Sequence, residues 1–252
     1  MGISASFTTY GTAALAAAAF GVYASAQTQY GTFVGDTVTY SGVFEDDDVL
    51  FGAPTITGDT LSFSPAEFLA RSDGGESNNP TPGPVDLVDG TLGFDLISND
   101  GTGIDTFTLE ESGAFALVGS GTEATSVAVS VVFSANILEV DGVAINGPSQ
   151  VVSTTSLLNT NLVDSPGLGQ AWIGQAEFDI SALAASELGI TGDITRARIS
   201  LDNQLLAISE DGSSAFIDKK NIDGVVITVP EPASVALLAL GGIAVLARRR
   251  HG

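Results

Sequence analysis

From Gly35 onward the chain alternates apolar and polar residues with a period of two. Gly35-Asp36-Thr37-Val38-Thr39-Tyr40 puts Val38 and Tyr40 on one face and the threonines on the other, as a half-buried strand requires. The pattern returns at Gly58-Asp59-Thr60-Leu61-Ser62-Phe63 and, more loosely, at Gly90-Thr91-Leu92-Gly93-Phe94. The copies are unevenly spaced, which reads as a shared strand-start signature rather than a solenoid repeat. Gly, Asn and Asp turns separate further predicted strands at 94–98, 104–110, 114–118 and 126–133. In the last of these Val127, Val129, Val131 and Phe133 share one face and Ala128 and Val132 the other, which predicts a central strand covered on both sides. Strand patterns follow at 138–143, 171–180, 194–208, 215–217 and 222–229, with Arg196 and Arg198 on the polar side of 194–208 and a candidate break at Asp202-Asn203. Residues 153–169 are polar and show no clear period.

Helix is scarce. Ser64-Pro65-Ala66-Glu67 has capping-box spacing with proline at the first helical position, which predicts a short helix to Ala70. A second is predicted at 181–188, stopped by Gly189. Residues 73–84, rich in Gly, Asn, Pro and Ser, form the longest predicted loop. Short strands, tight turns and little helix predict an all-β chain: a single β-sandwich, jelly-roll-like, spanning 27–229. Strand order is not readable.

Both ends of the chain are apolar. Residues 13–24 form a run of signal-peptide length, and Ala24-Ser25-Ala26 supplies the small-x-small pattern before Gln27. This predicts a signal peptide over 1–26, exported by the secretion translocon and removed by signal peptidase. Residues 1–10 lack the usual Lys or Arg. At the other end, Pro230-Glu231-Pro232 precedes an uncharged stretch, 233–247, and then Arg248-Arg249-Arg250-His251-Gly252. That stretch reaches roughly 22 Å as a helix, short of a bilayer core of about 30 Å. Local thinning and snorkelling arginines accommodate the difference. The arginines hold the C-terminus in the cytoplasm by the positive-inside rule. The prolines interrupt helix on the outer side, leaving an extended segment that a processing enzyme can grip.

Pro-Glu-Pro, an uncharged span with Gly241-Gly242 and a terminal Arg cluster, in that order, resemble the PEP-CTERM sorting tail handled by exosortase-type membrane enzymes. The resemblance covers only 229–252. It implies export, transient anchoring in the inner membrane through the C-terminal helix, and delivery to the cell surface or extracellular matrix. It also implies a bacterium that makes exopolysaccharide and a place in its biofilm.

Charge narrows the functions further. The chain carries 30 acidic against 8 basic residues, a formal net charge of -22. A surface this negative repels phosphates, so nucleic acid is excluded as a partner. Plain solubility explains the charge equally well. There is no cysteine, and the single histidine, His251, lies beyond the predicted span. That removes Ser-His-Asp and Cys-His triads and His-based metal centres. Gly119-Ser120-Gly121-Thr122-Glu123-Ala124 imitates a dinucleotide fingerprint, but a Val-rich strand follows it rather than a helix.

Calcium is the cofactor that acidic loops would hold, and the candidate ligands are Asp46, Asp47 and Asp48 in the run after Glu45, with Asp100 and Asp105 in the Asn99-Asp100-Gly101 turn. Neither loop has EF-hand spacing; solvated turn acids are the alternative. Trp172, with Tyr40, is a candidate sugar-stacking residue, and Glu177 and Asp179 are the candidate paired carboxylates. The expectation is a structural or adhesive matrix protein and not an enzyme. The alternative is a carbohydrate-binding module, calcium-dependent if the acidic loops bind metal, with exopolysaccharide as partner. A carbohydrate-active enzyme is a more distant one. Aromatics gathered on a concave sheet would favour sugar binding, and aromatics confined to the core the matrix role.

Overall fold

The computed structural model describes residues 27–46, 49–74, 85–147, 149–220 and 222–230. In chain order the strands are β1 (Thr28–Val34), β2 (Val38–Glu45), β3 (Thr55–Thr57), β4 (Thr60–Phe63), β5 (Leu69–Asp73), β6 (Val85–Ser98) and β7 (Thr106–Gly119). They continue with β8 (Ser126–Val140), β9 (Val143–Ala144), β10 (Gln150–Asn161), β11 (Gly167–Asp179), β12 (Ile194–Ile208), β13 (Ser213–Lys219) and β14 (Val225–Thr228). One helical turn, α1 (Ile180–Leu183), runs into a π-helical turn, Ala184–Leu188.

These strands build two seven-stranded sheets, antiparallel at every pairing. The first has the order β1-β2-β6-β12-β8-β10, with β9 returning onto β8. The second has the order β3-β4-β14-β7-β13-β5, with β11 paired to β7. Within the second sheet β14 and β13 lie end to end along one edge of β7, against Thr108–Glu111 and Gly113–Gly119, and β11 takes the other edge. The all-β expectation holds.

Where the strands differ from expectation, the inward positions explain it. Residues 104–110 and 114–118 belong to one strand, because β7 runs unbroken through Glu111-Ser112-Gly113 with all three buried. β12 likewise passes Asp202-Asn203 without a break. The polar 153–169 segment is largely β10, whose sheet neighbour is β8 alone and whose outer face meets solvent. β8 is interior to its sheet, yet Ala128 and Val132 are only half-buried, so one face alone meets the core.

The helix expected after Ser64 is absent. Phe68, Ala70 and Ser72 are buried while Leu69, Arg71 and Asp73 are exposed, so a period of two makes this segment β5. Pairing with β13 overrides the local capping signal. The second expected helix forms: the Asp179 side chain accepts from the Ala182 N–H at 2.7 Å, and Gly189 ends the π turn at φ 67°.

The two Gly-Asp-Thr copies turn out to be partners. Asp59 accepts from the N–H and hydroxyl of Thr37 at 2.8 and 2.5 Å and from the Val38 N–H at 3.2 Å. Its backbone carbonyl accepts from the Tyr40 hydroxyl at 2.6 Å. A Cβ at Gly35 would lie 2.5 Å from the Asp59 carboxylate, so only glycine fits there. This contact ties the start of β2 in the first sheet to the β3–β4 turn of the second.

Between the sheets, aromatic rings form a continuous line. Tyr40 meets Phe94 edge-on at 5.3 Å, Phe94 lies 6.1 Å from Phe107, Phe107 lies 5.7 Å from Phe133, and Phe133 stacks on Phe178 at 4.3 Å. Phe133→Ala removes a fully buried ring of the first sheet that packs on Phe107 and Phe178 of the second, and lowers stability by about 3–5 kcal/mol, measured by denaturant unfolding. Leu168→Ala, on the surface, changes it by less than about 0.5 kcal/mol.

Candidate functional site

Among the described residues one ion pair is fully buried in the core. β7 turns Phe107, Leu109, Glu111, Phe115 and Leu117 inward, β12 turns Ile199, Leu201, Asn203 and Leu205 inward, and β13 turns Ala215, Ile217 and Lys219 inward. Glu111, Asn203 and Lys219 therefore occupy apolar positions of three alternating strands. The Lys219 Nζ donates to Glu111 Oε2 at 2.6 Å and to Asn203 Oδ1 at 2.7 Å. Both side chains of the ion pair are fully buried, and Glu111 Oε1 and Asn203 Nδ2 have no hydrogen-bond partner.

Aromatic rings seal the junction. The Phe68 and Phe51 centroids lie 4.6 and 5.8 Å from Lys219 Nζ. Gly90, directly across from Asn203, makes this approach possible: a Cβ there would stand 2.9 Å from Leu50 and 3.3 Å from Phe51. Glu45, also buried, holds Phe51 in place by accepting from the N–H groups of Leu50 and Phe51 at 2.9 and 2.8 Å. The Tyr30 hydroxyl donates to its other oxygen.

Burial pushes the Glu111 carboxyl up, with the Lys219 charge opposing. Burial pushes the Lys219 ammonium down, with Glu111 opposing. Both partners are driven toward their neutral forms.

A second feature lies on the outer face of the second sheet. Outward positions on β7 are small or polar (Thr108, Glu110, Ala114, Ala116), so the strand forms the floor of a trough between β11 on one side and β13 and β14 on the other. Depressions of about 440, 840 and 340 Å³ follow one another along it. Glu110 and Glu177 face each other diagonally across β7 and β11, and Gln175 Nε2 donates to Glu110 Oε2 at 2.5 Å. Asp179, expected to pair with Glu177, instead caps α1.

The calcium candidates fall at two places. Asp46 Oδ1 accepts from the Thr91 N–H at 2.8 Å. Asp100 Oδ1 accepts from the Thr102 N–H and hydroxyl at 3.0 and 2.6 Å, and Asp105 accepts from the Ser181 hydroxyl at 2.8 Å. Thr91 and Ser98 lie roughly 23 Å apart along β6, so the two loops cannot share an ion. Asp47 and Asp48 lie outside the described residues. Asp202, which the sequence reading left out, has its carboxyl pushed up by burial and then by the charges of Asp89 and Asp46. Among the described residues no group of three or more His, Cys, Asp or Glu side chains is placed to hold a metal.

Trp172 is not a surface platform. Its position on β11 is inward, it is 4% exposed, and its Nε1 donates to the Asp218 carbonyl at 3.0 Å. Tyr40 is core as well. Among the described residues Tyr30, Phe33, Phe44 and Phe216 are half-buried and the other aromatic side chains buried, and Phe216 lines the trough.

At the end of the domain Val229 is buried and Pro230 exposed, so the sorting segment leaves the sandwich with no intervening linker. Gln27 is exposed just before β1. Ala24 and Ala26, with the rest of 1–26, lie outside the described residues, as do Glu231, Pro232, the predicted span 233–247 and Arg248, Arg249 and Arg250. Among the described residues no helix is long and apolar enough to cross a membrane.

Residues 228–250 match the PEP-CTERM protein-sorting motif. The chain thus carries a sorting signal of exported proteins, one that implies transient membrane anchoring and processing by an exosortase. No curated protein matches the chain. Among solved structures, TmCBM61 in complex with beta-1,4-galactotriose is similar at 10% identity and a TM-score of 0.22, over 57% of this chain and 65% of its own. A thermostable cellulase derived from Cel12A of Rhodothermus marinus is similar at 10% identity and a TM-score of 0.22, over 82% of this chain and 100% of its own. Likeness this slight defines neither the site nor its ligand.

The outer face of the first sheet holds a further ionic group. Arg198 Nε and Arg196 Nη2 donate to Asp95 at 2.7 and 2.5 Å. Partial burial pushes the Asp95 carboxyl up, but the two guanidiniums outweigh it and hold it below the usual carboxylate range. A depressed carboxyl contributes stability above its unfolded value of about 3.9, and the contribution is lost as pH falls through the folded value. Asp95→Asn therefore lowers the melting temperature at neutral pH, and the gap from the parent protein closes in acid below about pH 3.9.

Proposed function

We propose that this chain is a structural or adhesive protein of the cell surface or extracellular matrix, without catalytic activity. The observation that carries the reading is the junction of Val229 with Pro230, where a rigid sandwich passes directly into the sorting motif. Cleavage there would release the acidic β-sandwich with no linker between its last strand and the cut. The inward placement of Trp172, Tyr40 and most of the phenylalanine rings supports a scaffold over a sugar-stacking site, although Phe216, half-buried at an outward position of β13, lines the trough. The strong acidity favours a hydrated polymer matrix, in which like-charged domains repel and stay dispersed.

A second reading, carbohydrate binding, rests on the trough along β7. It is long enough for an extended polymer, and Thr108, Glu110, Gln175 and Glu177 offer hydrogen-bonding groups to hydroxyls. Affinity electrophoresis through the producing cell's own polysaccharide separates the two readings. Retardation that disappears in the Glu110→Gln/Glu177→Gln double variant supports sugar binding, and unchanged migration supports the scaffold.

The sorting claim has its own test. Glu231→Ala leaves the domain's melting temperature unchanged while the protein accumulates in the inner-membrane fraction. Normal release of that variant into the matrix fraction overturns the role given to the motif.

A further inference from the structure

Lys219, Asn203 and Glu111 have a chemistry beyond packing. An amine touches a carboxamide and a carboxyl group, all three fully buried, against the rings of Phe51 and Phe68. The Lys219 Nζ lies 2.7 Å from Asn203 Oδ1, one bond from the carbon it would attack. The would-be leaving nitrogen, Asn203 Nδ2, is held by no hydrogen bond, and Glu111 keeps one oxygen free while the other binds Nζ. From this geometry we propose that Lys219 and Asn203 become joined by an intramolecular amide bond, formed with Glu111 as proton carrier once the two sheets close.

The reaction needs no outside reagent. In the neutral pair Lys219 is a free amine and Glu111 a carboxylic acid, the forms that burial favours. A desolvated lysine amine is a competent nucleophile. Its Nζ lone pair forms a bond to Asn203 Cγ, and the Cγ–Nδ2 bond breaks. One oxygen of Glu111 takes a proton from Nζ while the other gives its proton to Nδ2, which departs as ammonia. Glu111 ends as it began, and the side chains are joined as Nζ–H to Cγ=O. No redox change occurs, and the only mass lost is ammonia.

The consequence is mechanical. Asn203 sits on β12 of the first sheet and Lys219 on β13 of the second, so the bond staples the sheets covalently. A chain without cysteine has no disulfide with which to do this. The hydrogen bond from Lys219 to Asn203 already crosses between the sheets, and a covalent bond in its place also survives denaturation.

Mass spectrometry of the exported protein decides the matter. Trypsin followed by a Glu-specific protease cuts after Arg198, Glu210 and Lys220, which places Asn203 and Lys219 on separate peptides, 199–210 and 211–220. The expected result is a single branched species containing both peptides, lighter than the sum of free 199–210 and free 211–220 by about 17 Da, the mass of the ammonia lost. Fragmentation must place the branch at Asn203 and Lys219, since cyclisation of an N-terminal Gln27 gives the same loss elsewhere. Glu111→Gln and Asn203→Ala, where they fold, yield the two peptides unlinked. The wild-type protein is sufficient by itself: free 199–210 and cleavage after an unmodified Lys219, in a digest of the denatured exported protein, overturn the proposal.

Discussion

The structure depends on burying a lysine and a glutamate where an antiparallel sandwich would ordinarily place leucines. Burying two titratable groups is costly unless each finds a hydrogen-bonding partner in good geometry. Lys219 can satisfy itself only if β7 and β13 of one sheet and β12 of the other arrive in a fixed register. A one-residue slip of any of these strands would turn its polar member outward and leave the others unpaired. The apolar core supplies most of the driving force, and the junction selects one alignment among those the apolar pattern would accept. Glu45, Phe51, Phe68 and Gly90 then close it off from solvent.

Much of the fold was legible because strand alternation is a local signal. The all-β class, the long strand at 194–208 and the turn ended by Gly189 follow from period and capping alone. The failures have a common cause. Ser64-Pro65-Ala66-Glu67 satisfies the local rule for a helix start, but Phe68, Ala70 and Ser72 fit an inward strand face that only β13 can provide. Glu111-Ser112-Gly113 reads as a turn when glutamate and glycine are taken as surface residues. Kept in phase with Phe107, Leu109, Phe115 and Leu117, Glu111 is an inward residue. The same phase test marks Asn203 and Lys219. A charged residue in an apolar register signals a distant partner, and nothing in one strand says which strand supplies it.

The surface chemistry was legible in part. The sorting motif is contiguous in sequence and needs no fold to be recognised. Trp172 looked available because aromatics near acids often bind sugars, yet its alternation with Ala176 and Phe178 already placed it inward. Glu177 was found, but its diagonal neighbour Glu110 was not, since pairing of β7 with β11 is a long-range fact. The trough itself comes from small residues on β7, which carry no chemical signal in a linear reading.

A sandwich that leads straight into a sorting segment has Tyr40, Trp172 and a line of phenylalanine rings in its core and the Glu111–Lys219 pair fully buried among them. The most direct test is the thermodynamic coupling of Glu111 with Lys219 in denaturant unfolding. Glu111→Leu and Lys219→Met, each alone, should lose roughly 3–5 kcal/mol, because each strands a buried polar partner. The double variant should be more stable than either single one. Single variants that unfold with the parent protein would contradict the account, because the register would then rest on the apolar core alone.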